Sequence, residues 1–428
     1  MSSEADVAEA DEHKTATQPS SRRKLRMLVF TREPFPTYRV DVDVLFRELI
    51  ARGHEIDFVA QADSERIPAG ARDWHGRTVW VGPTDTRGTM LHRMRRDALA
   101  FWHDIRSLRL ARTSRYDAVQ VRDKFLIAAI AVVVARARGL KFFYWLSFPF
   151  PESEMLRAKE GNARSRLLVY LRGAASGLLL YKWILPLCTH AFVQSEQMRI
   201  DVSAHGVSRT RLTPVPMGIA AADVAAGGTH KPRRSAMPTG LTIVYLGTLN
   251  PQRRPEMLVD MLSVLLKQGM NARLLLVGDG DLPGDRARIE RRAHESNVQD
   301  HLEITGMLPR SDALARVRSA DIALSPFFPT PVLLSTSPTK LVEYMGLGLP
   351  VVANDHPEQR LVLRESRAGV CVPWGAKYFA RAVTWLARRG PDERQRMGEC
   401  GRRWVLANRT YDRIAEGVER TYEDLIGR

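Results

Sequence analysis

One stretch of this chain gathers residues able to hold a charged ligand: Ser335 to Asp355, reading STSPTKLVEYMGLGLPVVAND. Ser337 followed by Pro338 reads as a helix N-cap and first helical residue, so a helix should begin just before Thr339. A helix start offers backbone N–H groups without intrahelical acceptors and the positive end of the dipole. Lys340 falls in that first turn, where a cation opposes the dipole at a cost of roughly a few tenths of a kcal/mol. A lysine there makes sense if a phosphate or diphosphate lies between it and the free amides. Glu343 sits one turn on, on the same face, where a carboxylate can accept two hydroxyl hydrogen bonds from a ribose diol. The plainer alternative is a solvated pair on a helix surface. The GLGLPVVAND that follows, a tight turn into a buried strand, weighs against it.

These residues need elements to place them, and the hydrophobic pattern supplies two series of strand–helix–strand units. The first runs through KLRMLVF (Lys24 to Phe30), a helix over Val42 to Arg52 stopped by Gly53, and EIDFVAQ. It continues through YDAVQVR, the apolar helix LIAAIAVVVARARG, KFFYWLSF, THAFVQS and RLTPVPMGI. The second starts at LTIVYLG (Leu241 to Gly247). A helix over Glu256 to Gln268 follows, then ARLLLVGDG, LEITGML, ADIALSPF, KLVEYMG, PVVAND and AGVCVPW. The expectation is an α/β chain of two Rossmann-like domains facing across a cleft, with ligands at the carboxyl ends of the strands. The divisions are a disordered tail over 1–22, an N-terminal domain over 23–220, a linker over 221–240, a C-terminal domain over 241–405 and a last helix over 406–428.

SPTKLVEYMGLGLPVVAND closely resembles the donor-binding segment of glycosyltransferase family 4, a family of GT-B fold. The resemblance implies that Glu343 binds the nucleotide ribose, with Ser335, Thr336, Ser337, Pro338, Lys340 and Leu341 completing the segment. The family carries a second Glu where this chain has Ser335, so the contacts to the donor sugar differ here. YLGTLNPQRRPEMLVDML resembles the first strand and loop of the donor domain. In that loop Gly247 and Thr248 approach the ligand, and Arg253 takes the place of a Lys or Arg set against the diphosphate. Arg254 is its neighbour, able to substitute. VGDG adds Gly278, Asp279 and Gly280, and ITGMLPRSD matches in register at Gly306. AFVQSEQM and VPMGI are similar to the stretches that close the acceptor domain, with Met217 where Asn is frequent. The resemblance runs from about Lys24 and is strongest from Leu241 to Val372.

It implies a retaining glycosyltransferase of bacterial surface glycan synthesis. A UDP- or GDP-linked sugar would sit on the C-terminal domain, a lipid-linked or polysaccharide acceptor on the other, and the last helix would cross back. Lys340 and Arg253 would neutralise the departing diphosphate. The acceptor half departs from the family in two places. PFPTYR replaces a Gly-rich loop and brings Tyr38 and Arg39. WLSFPFPESE carries no His, leaving Glu152 as the catalytic candidate beside Glu154. Two rivals remain open: a nucleotide-sugar epimerase of the same architecture, and a non-catalytic nucleotide-sugar-binding protein.

The formal charge of +16 asks for an anionic partner. No nucleic-acid-binding motif is present, so nucleic acid is not expected. Cys188, Cys371 and Cys400 have neither metal-ligand nor disulfide spacing, which fits a reduced cytoplasm. Asp41-Val42-Asp43 and Asp279-Gly280-Asp281 have the D-x-D form of metal-dependent transferases of another fold, but metal independence and no cofactor are the expectation. Leu91 to Arg115 and Asn162 to Pro186 are basic and amphipathic, suited to peripheral contact with an anionic membrane at its cytoplasmic face. Leu167 to Leu187, interrupted by Arg172 and Lys182, reads as not apolar enough to span a bilayer.

Overall fold

The computed structural model describes residues 24–37, 39–161, 165–225 and 240–427. The tail over 1–22, most of the linker, Tyr38 and Asn162 to Arg164 lie outside the described residues.

The first half is built on β1 (Arg26–Thr31), β2 (Glu55–Gln61), β3 (Gly70–Trp74), β4 (Arg77–Gly82), β5 (Ala118–Arg122), β6 (Lys141–Leu146), β7 (His190–Val193) and β8 (Leu212–Pro214). Their order is β3-β4-β2-β1-β5-β6-β7-β8, parallel except for the β3–β4 pair. β1 and β5 are buried on both faces because helices cover both sides, though one face of β5 carries the buried polar side chains Gln120 and Arg122. The β3–β4 hairpin is a finding that periodicity missed. GARDW lies exposed at the sheet edge, so it carries no apolar face to read.

The second half holds β9 (Leu241–Leu246), β10 (Ala272–Val277), β11 (Leu302–Ile304), β12 (Ile322–Ser325), β13 (Val351–Asn354) and β14 (Gly369–Val372). All are parallel, in the order β11-β10-β9-β12-β13-β14. In each sheet the chain reverses direction around its first strand, β1 or β9. The loops after these strands therefore open into a crevice at the carboxyl ends, where α/β sheets bind ligands.

Five helices of the first half matter below: α1 (Val40–Ala51), α2 (Met90–Ser107), α3 (Phe125–Ala137), α4 (Phe150–Lys159) and α5 (Arg166–Leu179). α5 continues through a π turn, Leu180–Ile184, and on to Leu187. Within the 22 residues Arg166–Leu187 an 18-residue window has mean hydropathy 1.2, so by length and composition alone the stretch reaches what a membrane span needs, where the sequence expectation places it below that. Arg172 and Lys182 lie exposed on its outer side. Its far end is tied into the domain core by Leu180, Tyr181, Ile184 and Leu185.

The helix Gly390–Asn408 stays on the second half, where Gly398 meets the backbone of Gly348. The chain then crosses. The Ile219 N–H donates to the Arg409 carbonyl, and the Tyr411 N–H donates to that of Ile219, at 3.0 and 3.1 Å. The helix Tyr411–Ile426 packs on the first half, burying Tyr411, Ala415, Val418, Tyr422 and Ile426 among Phe143, Phe192 and the residues of α1. Glu419, 3% exposed, accepts from Arg52 at 3.0 Å and contacts His54 at 2.8 Å. Removing one partner of a buried pair leaves the others uncompensated, so Glu419→Ala should cost about 3 kcal/mol in chemical denaturation. A loss below about 1 kcal/mol would mean that apolar burial alone seats this helix.

Candidate active site in the interdomain cleft

A cleft of about 400 Å³ lies between the halves. Arg32, Arg39 and Ser147 line it from one side; Arg253, Ser337 and Lys340 line it from the other. The loop after β1 supplies the first two, and the loop after β9 supplies Arg253.

The helix carrying Lys340 runs Thr339–Gly346, with Pro338 at the cap position and no side-chain cap. Ser337 is therefore one residue too early to cap it. Its Oγ instead accepts the Met217 N–H at 3.0 Å, a bond between the two halves. Lys340 is only 9% exposed. Among the described residues its ammonium enters no ion pair. It lies over the rings of Tyr245 (5.2 Å) and Phe327 (5.6 Å), whose negative faces attract it. Burial pushes its pKa well below the usual lysine value; Arg253 adds to this and Glu343 opposes it.

Two glycines make room for that side chain. Gly247 has φ +138°, and a Cβ there would run into Lys340 Cε. Gly278 has φ +141°, and a Cβ there would strike the Gly247 carbonyl. The Gly247 N–H donates to Val277 O (2.9 Å) and the Leu249 N–H to Asp279 O (2.8 Å), so the two loops lie side by side. Thr248 contributes only its carbonyl, which accepts from the Tyr245 hydroxyl at 3.4 Å. Asp279 accepts its neighbour's N–H, that of Gly280, and Asp281 accepts from Asn250, each at 2.8 Å. These carboxylates brace the loop. In the other D-x-D string, Asp41 pairs with the buried Arg122 and with Arg39.

Arg253 turns into the cleft, its Cζ 6.0 Å over Phe327. Arg254, left-handed at φ 52°, stacks on Phe328 at 4.5 Å and does not line the cleft. The two arginines therefore do not stand in for one another. Leu341 is fully buried and offers the site only its backbone.

Glu343 is buried too, but its carboxylate faces elsewhere. Arg310 donates to it at 3.0 Å, and the same guanidinium reaches Asp223 at 2.9 Å. Burial raises the Glu343 pKa and Arg310 opposes that rise. Lys340 and Glu343 thus share a helix but not one lining. Arg310 lies in ITGMLPRSD, a stretch noted for Gly306, and nothing local marks it as a partner. Ser335 spends its hydroxyl on Asp201 (2.7 Å), and its carbonyl accepts from Ser195 (2.7 Å). Thr336 does line the cleft.

Glu152 lies outside it. It accepts from the Tyr181 hydroxyl at 2.7 Å and sits 4.0 Å from His205, in a neighbouring cavity that also contains Asp201 and Ser335. Glu154 pairs with Arg172. On the first half the cleft is lined by the polar groups Arg32, Glu33, Arg39, Ser147 and Gln194 together with Phe148 and Phe150, and of the polar groups sequence reasoning singled out only Arg39. Arg32 stacks over Phe150 at 4.3 Å.

Comparison with known proteins agrees with this layout. Residues 240–389 match the family described as Glycosyl transferases group 1, and residues 38–218 match the Glycosyl transferase 4-like domain. The GDP-mannose-dependent alpha-(1-6)-phosphatidylinositol dimannoside mannosyltransferase of Mycobacterium tuberculosis is 29% identical over 226 residues, 50% of this chain and 51% of that one. The chain thus spans about half the length of the curated relatives it matches. The structure of sucrose-phosphate synthase from Thermosynechococcus elongatus superposes with a TM-score of 0.68 at 16% identity, over 94% of this chain and 99% of that one. Anabaena HepE in complex with UDP-glucose gives 0.64 at 11% identity, over 93% and 100%. These likenesses show the fold.

The depressed Lys340 pKa carries a sign. Between the folded value and the ordinary 10.5, the unfolded chain binds more protons, so apo stability should rise with pH across that window. Lys340→Met should flatten that rise and lift the apo melting temperature at neutral pH; a lower melting temperature would mean the ammonium is already compensated. Gly247→Ala should destabilise by ~1–3 kcal/mol through its backbone conformation and the clash with Lys340, read by denaturant midpoint.

Proposed function

The chain belongs to the glycosyltransferases of GT-B fold, its two halves matching the two domain families, and on that premise we propose a retaining hexosyltransferase. It moves a sugar from a UDP- or GDP-linked donor to a lipid-linked or polysaccharide acceptor in bacterial surface glycan synthesis, at the cytoplasmic face of the membrane. The observation that carries this reading is Lys340: a buried ammonium, beside Arg253 and the start of a helix, with no carboxylate paired to it. Such a group is costly unless an anion arrives. A diphosphate supplies it, between two cations and the free amides of the first helical turn.

In the transfer, the bond from the sugar's anomeric carbon to the diphosphate oxygen breaks and the electron pair leaves with the diphosphate. Lys340 and Arg253 stabilise the charge that develops there, the largest expected contribution. These protein cations do the work a metal would otherwise do, so the transfer is read as metal-independent. The acceptor hydroxyl bonds to the anomeric carbon on the face the diphosphate leaves, and its proton passes to the departing phosphate oxygen. The family resemblance gives the ribose hydroxyls to Glu343; that role requires its carboxylate, held by Arg310 away from the cleft lining, to turn toward the bound nucleotide. The acceptor lies along Arg32, Glu33, Arg39 and Ser147. The relatives leave the base open, since one is named for GDP-mannose and one solved neighbour holds UDP-glucose.

Melting curves with UDP and with GDP test the donor site. At about 100 times the dissociation constant, the matching nucleotide should stabilise by about 2.7 kcal/mol. Lys340→Met should abolish the shift. Arg253→Ala should lower kcat by roughly 10²- to 10³-fold, the loss typical of one transition-state donor. No shift with either nucleotide would sink the donor assignment.

A further inference from the structure

The first half carries an apolar face that no described residue covers, and we propose that it inserts into the interfacial layer of an anionic lipid bilayer. The inference deepens the proposed reading by naming the surface that meets the membrane. Its evidence is independent of the donor site.

α3 is apolar all round. Its inner side, Ile127, Ala128, Ala131, Val132 and Ala135, is core. Its outer side shows Leu126, Ile130 and Val133, exposed by 66%, 37% and 47%. These stand at i, i+4 and i+7 and so form one stripe. α5 reverses the usual arrangement: its smallest residues point in and its largest apolar ones point out. Gly173 and Gly177 are buried against α4, where a Cβ at Gly173 would press on the Pro151 carbonyl. Leu167, Leu168, Leu171 and Leu178 are 53–68% exposed. The two stripes adjoin, because the Trp183 indole at the end of α5 donates to the Ala129 carbonyl in α3 at 3.1 Å. Single exposed leucines need no explanation, but a contiguous patch does.

Charge selects the occupant. Arg166 and Arg172 on α5 and Lys182 in the π turn are exposed beside the leucines, and Arg93, Arg95 and Arg96 are exposed on α2, which packs against α3; of the six, Arg95, Arg96 and Arg172 also face Asp85, Asp97 and Glu154. A second copy of the chain would bring like charges together, whereas anionic headgroups match them. Trp183 and Tyr170 are suited to the headgroup boundary. Because its far end is held in the core, the helix Arg166–Leu187 lies in the interface plane and does not cross it.

The test is co-sedimentation of the full chain with phosphatidylcholine vesicles with and without phosphatidylglycerol, at about 0.1 M and 0.5 M salt, where the Debye length falls to well under 10 Å. The chain should bind the anionic vesicles and keep part of that binding at high salt, since insertion is not screened. Leu167→Gln, Leu171→Gln and Leu178→Gln combined should weaken binding by on the order of tenfold per leucine, without lowering the melting temperature. Arg93→Gln, Arg95→Gln and Arg96→Gln combined should weaken only the low-salt binding. Three results would overturn the proposal: no binding to anionic vesicles; binding indifferent to the leucines and erased by salt; or a dimer in sedimentation that the leucine variant dissolves while vesicles stay unbound. A nucleotide shift measured on the same protein reports on the donor reading alone, so either idea can fail without the other.

Discussion

A buried ammonium with no carboxylate paired to it among the described residues is the constraint around which the cleft is built. Lys340 could be neutralised cheaply by one acidic side chain, and the protein keeps acids off it. Asp279 and Asp281 are engaged within their own loop, and Glu343 is drawn aside by Arg310. What surrounds the ammonium is aromatic face, glycine backbone and a second cation. Each choice leaves the charge in want of an anion from outside. Gly247 and Gly278 belong to the same constraint, since a side chain at Gly247 would close the space into which Lys340 folds and one at Gly278 would displace the Gly247 backbone.

The segment that leads into the Lys340 helix is also the seam between the halves. Ser335 bonds to Asp201 and Ser195, and Ser337 to Met217, all across the cleft from the helix they precede. A buried ion pair, Arg409 with Glu358, and the return of the last helix add to the seam. Bonds placed there tie the position of the helix start to the spacing of the halves. A movement that widened the cleft would have to break the hydrogen bonds that shape the loop before Lys340. The shape of the loop before Lys340 and the spacing of the two halves are therefore held by the same hydrogen bonds.

How far this was legible in the sequence follows from the range of each interaction. The parallel strands were readable because burial on both faces leaves unbroken apolar runs, as in RMLVFT and ARLLLV. The helix start at Thr339 was readable to within a residue. Ser337 reads as its cap and is not, because its hydroxyl serves a backbone amide 120 positions away. Arg310 and Glu343 are separated by 33 positions, and no local pattern announces their pairing. Glu152 looked catalytic as a carboxylate in a loop after a strand, but it heads α4 and turns to Tyr181. Arg32 and Ser147 went unnoticed because they gain meaning only when β1 and β6 deliver them to one crevice. The sequence reading of Arg166–Leu187 gave weight to Arg172, Lys182 and Pro186, yet two charges in an 18-residue window still leave its mean hydropathy at 1.2.

The π turn at Leu180–Ile184 bears on the shape of that long helix. Gly173, Gly177, Tyr181 and Leu185 recur every fourth residue along its inner side. In a regular α-helix four residues overshoot a full turn by about 40°, so such a row drifts around the cylinder. A π turn holds more residues per turn and takes up part of that drift. The inner row therefore stays nearer to a straight line from Gly173 to Leu185, so the two glycines can lie against α4 while Tyr181 and Leu185, further along the same row, still reach the core of the domain.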